Sequence, residues 1–227
     1  MLKAIGARLF GGSCFLCRGS ARALLCSPCE ADLPRLGAER CPRCALASPA
    51  GAPCGRCLAQ PPAYDATRAA LGYEFPADAL VHALKFRGEL ALAPFLGDLL
   101  ASCVADRSVN CIVPVPLSAA RLRARGYNQS LEIARGVAAA TGARLAPELC
   151  ERSRDTASQM DLPVDARAKN VRGAFRCPRM LGGLTIAVVD DVMTTGATLE
   201  EVAATLKRAG AARVVNWVVA RTAAPHD

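Results

Sequence analysis

Beyond residue 62 the chain alternates short apolar runs with stretches of helical spacing. Thr67 to Phe75 alternates apolar and polar positions as a half-buried strand does. Ala77 to Phe86 and Leu90 to Val104 repeat apolar residues at helical intervals. Cys111 to Val113 is a short buried strand running into Pro114-Val115-Pro116, and Gln129 to Ala140 is a helix closed by Thr141-Gly142. Leu184 to Val189 is the clearest buried strand. A helix from about Leu199 to Ala209 stops at Gly210, and Val214 to Ala220 forms a last strand. Strands alternating with amphipathic helices predict an α/β fold whose parallel sheet is covered on both faces. Residues 150–180 break the rhythm: they are polar, Arg-rich and weakly periodic, and read as a long excursion.

Residues 1–60 show no such rhythm. They are dense in Cys, Pro and Gly, and Gln60-Pro61-Pro62 reads as a stiff boundary, so the pattern predicts two domains, 1–60 and 61–227. With 52% hydrophobic and 21% charged residues, the chain is too apolar to be disordered. Only two histidines occur, His82 and His226, which excludes a His-rich metal centre. A Ser-His-Asp hydrolase would rest on one of these two, and no G-x-S-x-G turn is present. Apolar runs such as Ile186 to Val189 fall far short of the roughly 20 residues that cross a bilayer, so no membrane insertion is expected. Arg8 interrupts what would be a leader's apolar core, and a cytoplasmic location follows as the expectation.

Eight of the twelve cysteines form four C-x-x-C pairs: Cys14/Cys17, Cys26/Cys29, Cys41/Cys44 and Cys54/Cys57. Each turn aims two sulfurs at one point, and two turns complete a tetrahedral zinc shell, so four pairs make two structural zinc sites. Joining neighbouring pairs gives two compact ribbons; crossed or nested pairing is also geometrically allowed. A disulfide scaffold needs an oxidising compartment, and a redox dithiol usually occurs once rather than four times. Cys103, Cys111, Cys150 and Cys177 read as small core residues. Zinc alters the charge reading as well. The formal charge is +8, but each four-thiolate site carries about −2, lowering the total to about +4 and weakening the case for nucleic acid on charge alone. A ribbon with almost no core of its own is expected to unfold on chelation and to leave much of residues 61–227 intact.

The segment richest in chemistry runs from Ile186 to Thr198. Asp190 and Asp191 follow a buried strand, where open parallel sheets bind ligands, and Thr194-Thr195-Gly196-Ala197-Thr198 leads into a helix. Thr198 with Glu201 fits a capping box. Free backbone N–H groups, a helix dipole and three threonine hydroxyls make a monophosphate cradle, and carboxylates beside it suit the vicinal hydroxyls of a sugar phosphate. No Gly-Lys-Ser/Thr occurs, so this is not a Walker A loop.

A hydrophobic strand, two acids and T-T-G-x-T resemble the phosphoribosyl pyrophosphate (PRPP) signature of type I phosphoribosyltransferases. The order of motifs extends the likeness. Four C-x-x-C pairs precede Leu84-Lys85-Phe86-Arg87-Gly88, Val113 to Ser118, Arg125-Gly126-Tyr127-Asn128-Gln129-Ser130, and Arg167 to Val171 with Gly173-Ala174-Phe175. Over essentially its whole length the chain resembles the ComF family of competence-associated, phosphoribosyltransferase-like proteins. That resemblance implies a type I phosphoribosyltransferase-like sheet behind a small double zinc ribbon. It implies ribose hydroxyls on Asp190 and Asp191, and the 5′-phosphate on Thr194, Thr195, Gly196, Ala197 and Thr198. Pro116 and Leu117 would lie in the pyrophosphate loop, with Arg121, Arg123, Arg125 and Asn128 near the phosphates. Residues 152–172 would be a mobile loop offering Arg167 and Asn170, and magnesium would arrive on the pyrophosphate. His82 is expected on a helix surface. The implied chemistry is glycosyltransferase chemistry, in which a nitrogen nucleophile displaces pyrophosphate, in a present or former enzyme linked to DNA uptake. The alternative is a non-catalytic protein that handles single-stranded DNA or scaffolds DNA-uptake proteins. Aromatics at 4% are few for stacking bases, with Phe10, Phe15 and Tyr64 the nearest to the ribbons.

Overall fold

The computed structural model describes residues 12–104, 108–154 and 169–224. The cysteine-rich segment holds a two-stranded ladder, β1 (Gly12–Ser13) with β2 (Ser20–Ala21), and two single-turn helices, α1 (Ser27–Ala31) and α2 (Gly55–Ala59). Then come β3 (Ala66–Gly72), α3 (Ala77–Phe86), α4 (Leu92–Cys103), β4 (Cys111–Pro114), α5 (Ala119–Arg125), α6 (Gln129–Thr141) and β5 (Arg144–Leu145). A small antiparallel pair, β6 (Glu151–Arg152) with β7 (Phe175–Arg176), closes the base of the polar excursion. The chain ends with β8 (Thr185–Met193), α7 (Ala197–Arg208) and β9 (Arg213–Arg221).

The main sheet has the order β3-β9-β8-β4-β5 with every pairing parallel, as the alternation of elements predicted. One face buries α3, α4 and α6 through Leu80, Leu84, Leu96, Leu100, Ile133 and Val137. The other buries Leu199, Val202 and Leu206 of α7 against Val113, Val188 and Val218. Each such aliphatic side chain contributes about 1.5–3 kcal/mol on full burial. Helices α4 and α6 meet at Gly97 and Gly136. A Cβ at Gly97 would stand 2.9 Å from the Gly136 Cα and from the Ile133 carbonyl oxygen, so glycine there permits the backbones to touch.

Two differences from the sequence reading bear on the site. Strand β8 does not stop at Val189: its ladder with β9 continues through Asp190↔Val218 to Met193↔Arg221. The acids therefore lie within the last turns of the pleat, held by backbone bonds on a strand rather than on a loop. The cysteine-rich segment also borrows its core. Cys14, Leu25 and Leu33 join one apolar cluster of the sheet, while Cys41, Cys44 and Cys57 join the other. Its middle covers the sheet edge, because Leu36 N–H donates to Ala70 O (3.2 Å) and Gly72 N–H to Pro34 O (2.7 Å) along β3. An edge strand that would otherwise present open backbone groups is thereby closed.

Candidate functional site

The strand order places the site. From β4 the chain moves outward to β5, returns to β8 on the other side of β4, and proceeds to β9. The direction of winding reverses between β4 and β8, and the helices that follow these strands pack on opposite faces. A crevice forms at such a reversal, outside the carboxyl ends of the two strands. The carboxyl end of β8 carries Asp190 and Asp191, and that of β4 leads into Val115-Pro116-Leu117.

Both acids are buried, Asp190 at 8% exposure and Asp191 at 3%. Two carboxylates at that depth need partners. Lys85, at the end of α3, brings Nζ to 2.7 Å from Asp191 Oδ2, an oxygen with no other hydrogen bond. Ser130, at the start of α6, donates its hydroxyl to Asp190 Oδ1 at 2.8 Å, which also accepts the Asp191 N–H at 3.0 Å. The two acids differ in consequence. Burial, then the Asp191 charge, push Asp190 up to about 7 against the pull of Lys85 and Ser130. Burial also opposes ionisation of Asp191, but the charge and hydrogen bond of Lys85 outweigh it and hold that carboxyl below the usual range. Asp191 is thus a fixed anion in an ion pair, and Asp190, the more exposed, is the group that titrates near neutrality.

Past Met193 the chain turns through Thr194, Thr195 and Gly196 into α7. Gly196 caps the helix at φ +86°, and a Cβ there would lie 2.7 Å from Met193 Cε and 3.2 Å from the Tyr64 hydroxyl. The helix accordingly starts at Ala197, with Gly196 rather than Thr198 as its cap. The expected capping box does not form: the Glu201 carboxylate instead accepts from Gly173 N–H at 3.1 Å. What remains is a tight hydroxyl-bearing turn entering a twelve-residue helix, with Thr194 exposed and Thr195 half-buried. Thr195 Oγ1 accepts the Ala197 N–H at 3.3 Å.

Pro116, Leu117 and Asn128 line a cleft of about 360 Å³ with Gly126 and Tyr127. Asn128 is committed to structure. Its Oδ1 caps α6 by accepting from Ser130 and Leu131 N–H (3.0 and 3.4 Å), and its Nδ2 donates to Val115 O at 3.0 Å. Arg125 donates to Gln129 Oε1 and stands 5.5 Å over the Phe86 ring. Arg123 is exposed on α5; His82 is exposed on the surface of α3, where it was expected. Arg167, Phe10 and most of the 152–172 loop lie outside the described residues; Asn170 lies within them. Sequence reasoning assigned no role to Lys85, Ser130 or Arg221. A signal existed for Lys85: it falls four residues after Val81 on the buried face of α3, where a lone cation needs an anion. For Ser130 there was none.

The eight paired cysteines form two clusters, Cys14/Cys17/Cys26/Cys29 and Cys41/Cys44/Cys54/Cys57, with the sulfurs of each within 4.8 Å of one another. Neighbouring pairs join, as the compact alternative required. Sulfurs at 3.6 Å (Cys17–Cys26 and Cys44–Cys54) match the separation of about 3.8 Å that a tetrahedron with 2.3 Å zinc–sulfur bonds demands. These are two four-cysteine zinc sites. In each, the first pair sits on a turn closed by an N–H returning to the first cysteine's carbonyl: Arg18 to Cys14 at 3.0 Å and Ala45 to Cys41 at 2.9 Å. The second pair opens a helix, with Cys26 and Cys54 at the caps. Of the lone cysteines, Cys111 and Cys150 are buried, whereas Cys103 and Cys177 are half-buried. Among the described residues no helix is long and apolar enough to cross a membrane.

Fold and site define a double-zinc-ribbon protein built on a phosphoribosyltransferase-like parallel sheet. The family profile of the double zinc ribbon domain matches residues 6–58. DNA utilization protein YhgH of Salmonella typhi is 38% identical over 224 residues, spanning 93% of this chain and 97% of that protein. Competence protein F of Haemophilus influenzae is 29% identical, spanning 93% and 98%. The chain belongs to the ComF family. Among solved structures, the glutamine PRPP amidotransferase of B. subtilis is similar over 56% of this chain and 25% of its own, at 23% identity and a TM-score of 0.40.

Proposed function

We propose that the crevice at the ends of β4 and β8 binds PRPP, or a related sugar phosphate, as its magnesium complex. The observation that carries this reading is the acid pair and the threonine turn standing together at the winding reversal of the sheet. Asp190 accepts from a ribose hydroxyl, and Asp191, fixed by Lys85, supplies the second acidic contact. The turn from Thr194 to Thr198 receives the 5′-phosphate on backbone N–H groups and hydroxyls. Pro116 and Leu117 border the pyrophosphate, Arg125 lies near enough to add charge, and Asn128 positions the loop by holding Val115 O. Among the described residues only the two cysteine clusters group three or more metal-binding side chains. The ion would come with the pyrophosphate oxygens, which hold it in preference to few protein ligands, and would neutralise the leaving group. The chain's own part in transfer to a nitrogen nucleophile is positioning and charge complementarity. Calorimetry on zinc-loaded protein tests the reading. Mg-PRPP should bind, and Asp190→Asn with Asp191→Asn should weaken binding at least about tenfold, since hydrogen bonds to charged groups contribute about 1.5–3 kcal/mol each. No binding at millimolar ligand would sink it.

One observation favours a second reading, in which the protein handles single-stranded DNA, as the relatives' names suggest. Three of the ten aromatic residues gather at one place. Phe15, Tyr73 and Phe75 surround a cleft of about 480 Å³ with Arg18 and Arg87, and Phe75 is 77% exposed. Stacking on such rings is worth about 1–3 kcal/mol per base. Salt-dependent binding of an oligonucleotide that Phe75→Ala weakens would support this use of the cleft; binding indifferent to Phe75 would remove it.

A further inference from the structure

Arg221 ends β9 and is 3% exposed, yet among the described residues no carboxylate pairs with it. Its guanidinium instead joins two backbones. Nε donates to Cys44 O at 2.8 Å, within the second cysteine cluster. Nη1 donates to Met193 O at 2.9 Å and to Thr194 O, the first carbonyls of the threonine turn, and reaches Thr222 O at 3.1 Å. A buried guanidinium without a counter-charge is costly. The Nε contact ends on the backbone of the second cluster, where four thiolates around zinc would leave about −2.

Two further contacts bring the same side of the molecule against the turn. Tyr64, just past the second cluster and 4% exposed, has its hydroxyl beneath Gly196. Ala63 N–H donates to both carboxylate oxygens of Glu200 in the first turn of α7, at 3.1 and 3.0 Å. The first cluster packs elsewhere: Cys14, Leu25 and Leu33 share the apolar layer of α3 and α4, whereas Leu199, Val202 and Leu206 of α7 lie in the other layer with Cys41, Cys44 and Cys57.

We infer that Arg221 is a positioning residue that ties the threonine turn to the second cysteine cluster, so that the turn's shape depends on zinc at that cluster and not at the first. The inference rests on the proposed function only for its effect on ligand affinity. A guanidinium can span Cys44 O and Met193 O because its donors point in opposite directions along a rigid plane. A lysine keeps the charge but can serve one side only. Zinc holds the turn of Cys41 and Cys44 to the turn of Cys54 and Cys57, so without it the Cys44 carbonyl that anchors the bridge loses its fixed position.

Full-length, zinc-loaded protein is compared with Arg221→Lys, Cys57→Ser and Cys29→Ser in two measurements. Hydrogen exchange of the amides between residues 193 and 200, without ligand, should be at least about tenfold faster in Arg221→Lys and Cys57→Ser and unchanged in Cys29→Ser. Mg-PRPP affinity, by calorimetry, should fall at least about fivefold in the first two and stay within about twofold in the third. Unchanged exchange in folded Arg221→Lys overturns the inference, as does an equal effect from both cysteine variants. Should either Arg221→Lys or Cys57→Ser fail to fold, the other variant decides against Cys29→Ser. Wild-type protein that binds no Mg-PRPP overturns the proposed function, while the exchange measurement still decides this inference. Wild-type binding that Arg221→Lys leaves intact overturns the inference alone.

Discussion

The two zinc ribbons follow one local plan and have different tertiary roles. Each has a cysteine turn with a positive-φ residue after its second cysteine (Arg18 at 63°, Ala45 at 58°) and a one-turn helix that starts at the third cysteine. In the first ribbon Cys17 is exposed and only Cys14 is buried; in the second, Cys41, Cys44 and Cys57 are all buried. The first lies against the helix-covered face that holds α3 and α4. The second lies in the other layer, beneath the turn that follows Asp191, and is tied to it through Arg221. The same spacing of cysteines therefore yields a peripheral ribbon in one place and a part of the site's foundation in the other.

The largest effect should come from breaking this pair apart. Purified protein should hold two zinc ions. Apparent zinc-binding energies of about 10–16 kcal/mol at structural sites equal or exceed a domain's usual stability of about 5–15 kcal/mol. Three thiolates hold zinc more weakly than four, so Cys57→Ser should lower the main thermal transition further than Cys29→Ser while the chain still folds, because that cluster shares a core with β8 and α7. Cys29→Ser should leave a cooperative transition for the sheet. Equal losses by calorimetric melting would mean the two ribbons are equivalent. Melting with chelator tests the expectation that residues 1–60 unfold while much of residues 61–227 stays intact.

Next in size is Gly196→Ala, which would place a methyl against Met193 and Tyr64 at a positive φ. It should cost about 1–3 kcal/mol in denaturant unfolding and weaken sugar-phosphate binding with both zincs retained. A neutral result would show that the turn is not braced from the second ribbon's side.

Titration sharpens the comparison further. Asp190 is pushed up to about 7, so its carboxylate form, the better acceptor for a ribose hydroxyl, fills in between pH 6 and 8. Mg-PRPP affinity should rise by about fivefold to tenfold over that range beyond the ligand's own titration. Stability has the opposite sign. Folded Asp190 keeps its proton where the unfolded chain, near 3.8, has lost it, so this group's contribution declines as pH climbs from about 4 to 7. Asp190→Asn should flatten the affinity step, and Cys29→Ser should preserve it. The smallest effect is expected from Glu200→Gln, which weakens a charged acceptor for Ala63 N–H. It should cost about 1 kcal/mol, read in the same unfolding assay.

Much of this protein was legible in its sequence. Periodicity predicted α3 residue for residue, and α4, α6, α7 and β9 to within a few positions, because each buries one continuous stripe or face. The cysteine pairs announced two zinc sites, since C-x-x-C geometry is local. Asp190, Asp191 and the threonine turn stood out for the same reason: they are neighbours in the chain. The elements that sequence reading missed are short or set by distant partners. Helix α5 packs few apolar residues, and the far end of β8 is strand only because β9 continues beside it.

Which cysteine pairs join, which carboxylate ionises, and what supports the turn were decided by tertiary structure. Lys85 meets Asp191 across 106 positions of chain, and Arg221 meets Cys44 across 177. Nothing in the local pattern encodes such meetings. They exist because a parallel sheet gathers the carboxyl ends of its strands at one edge, whatever their order in sequence. Burial there makes each charge depend on whichever partner the fold delivers.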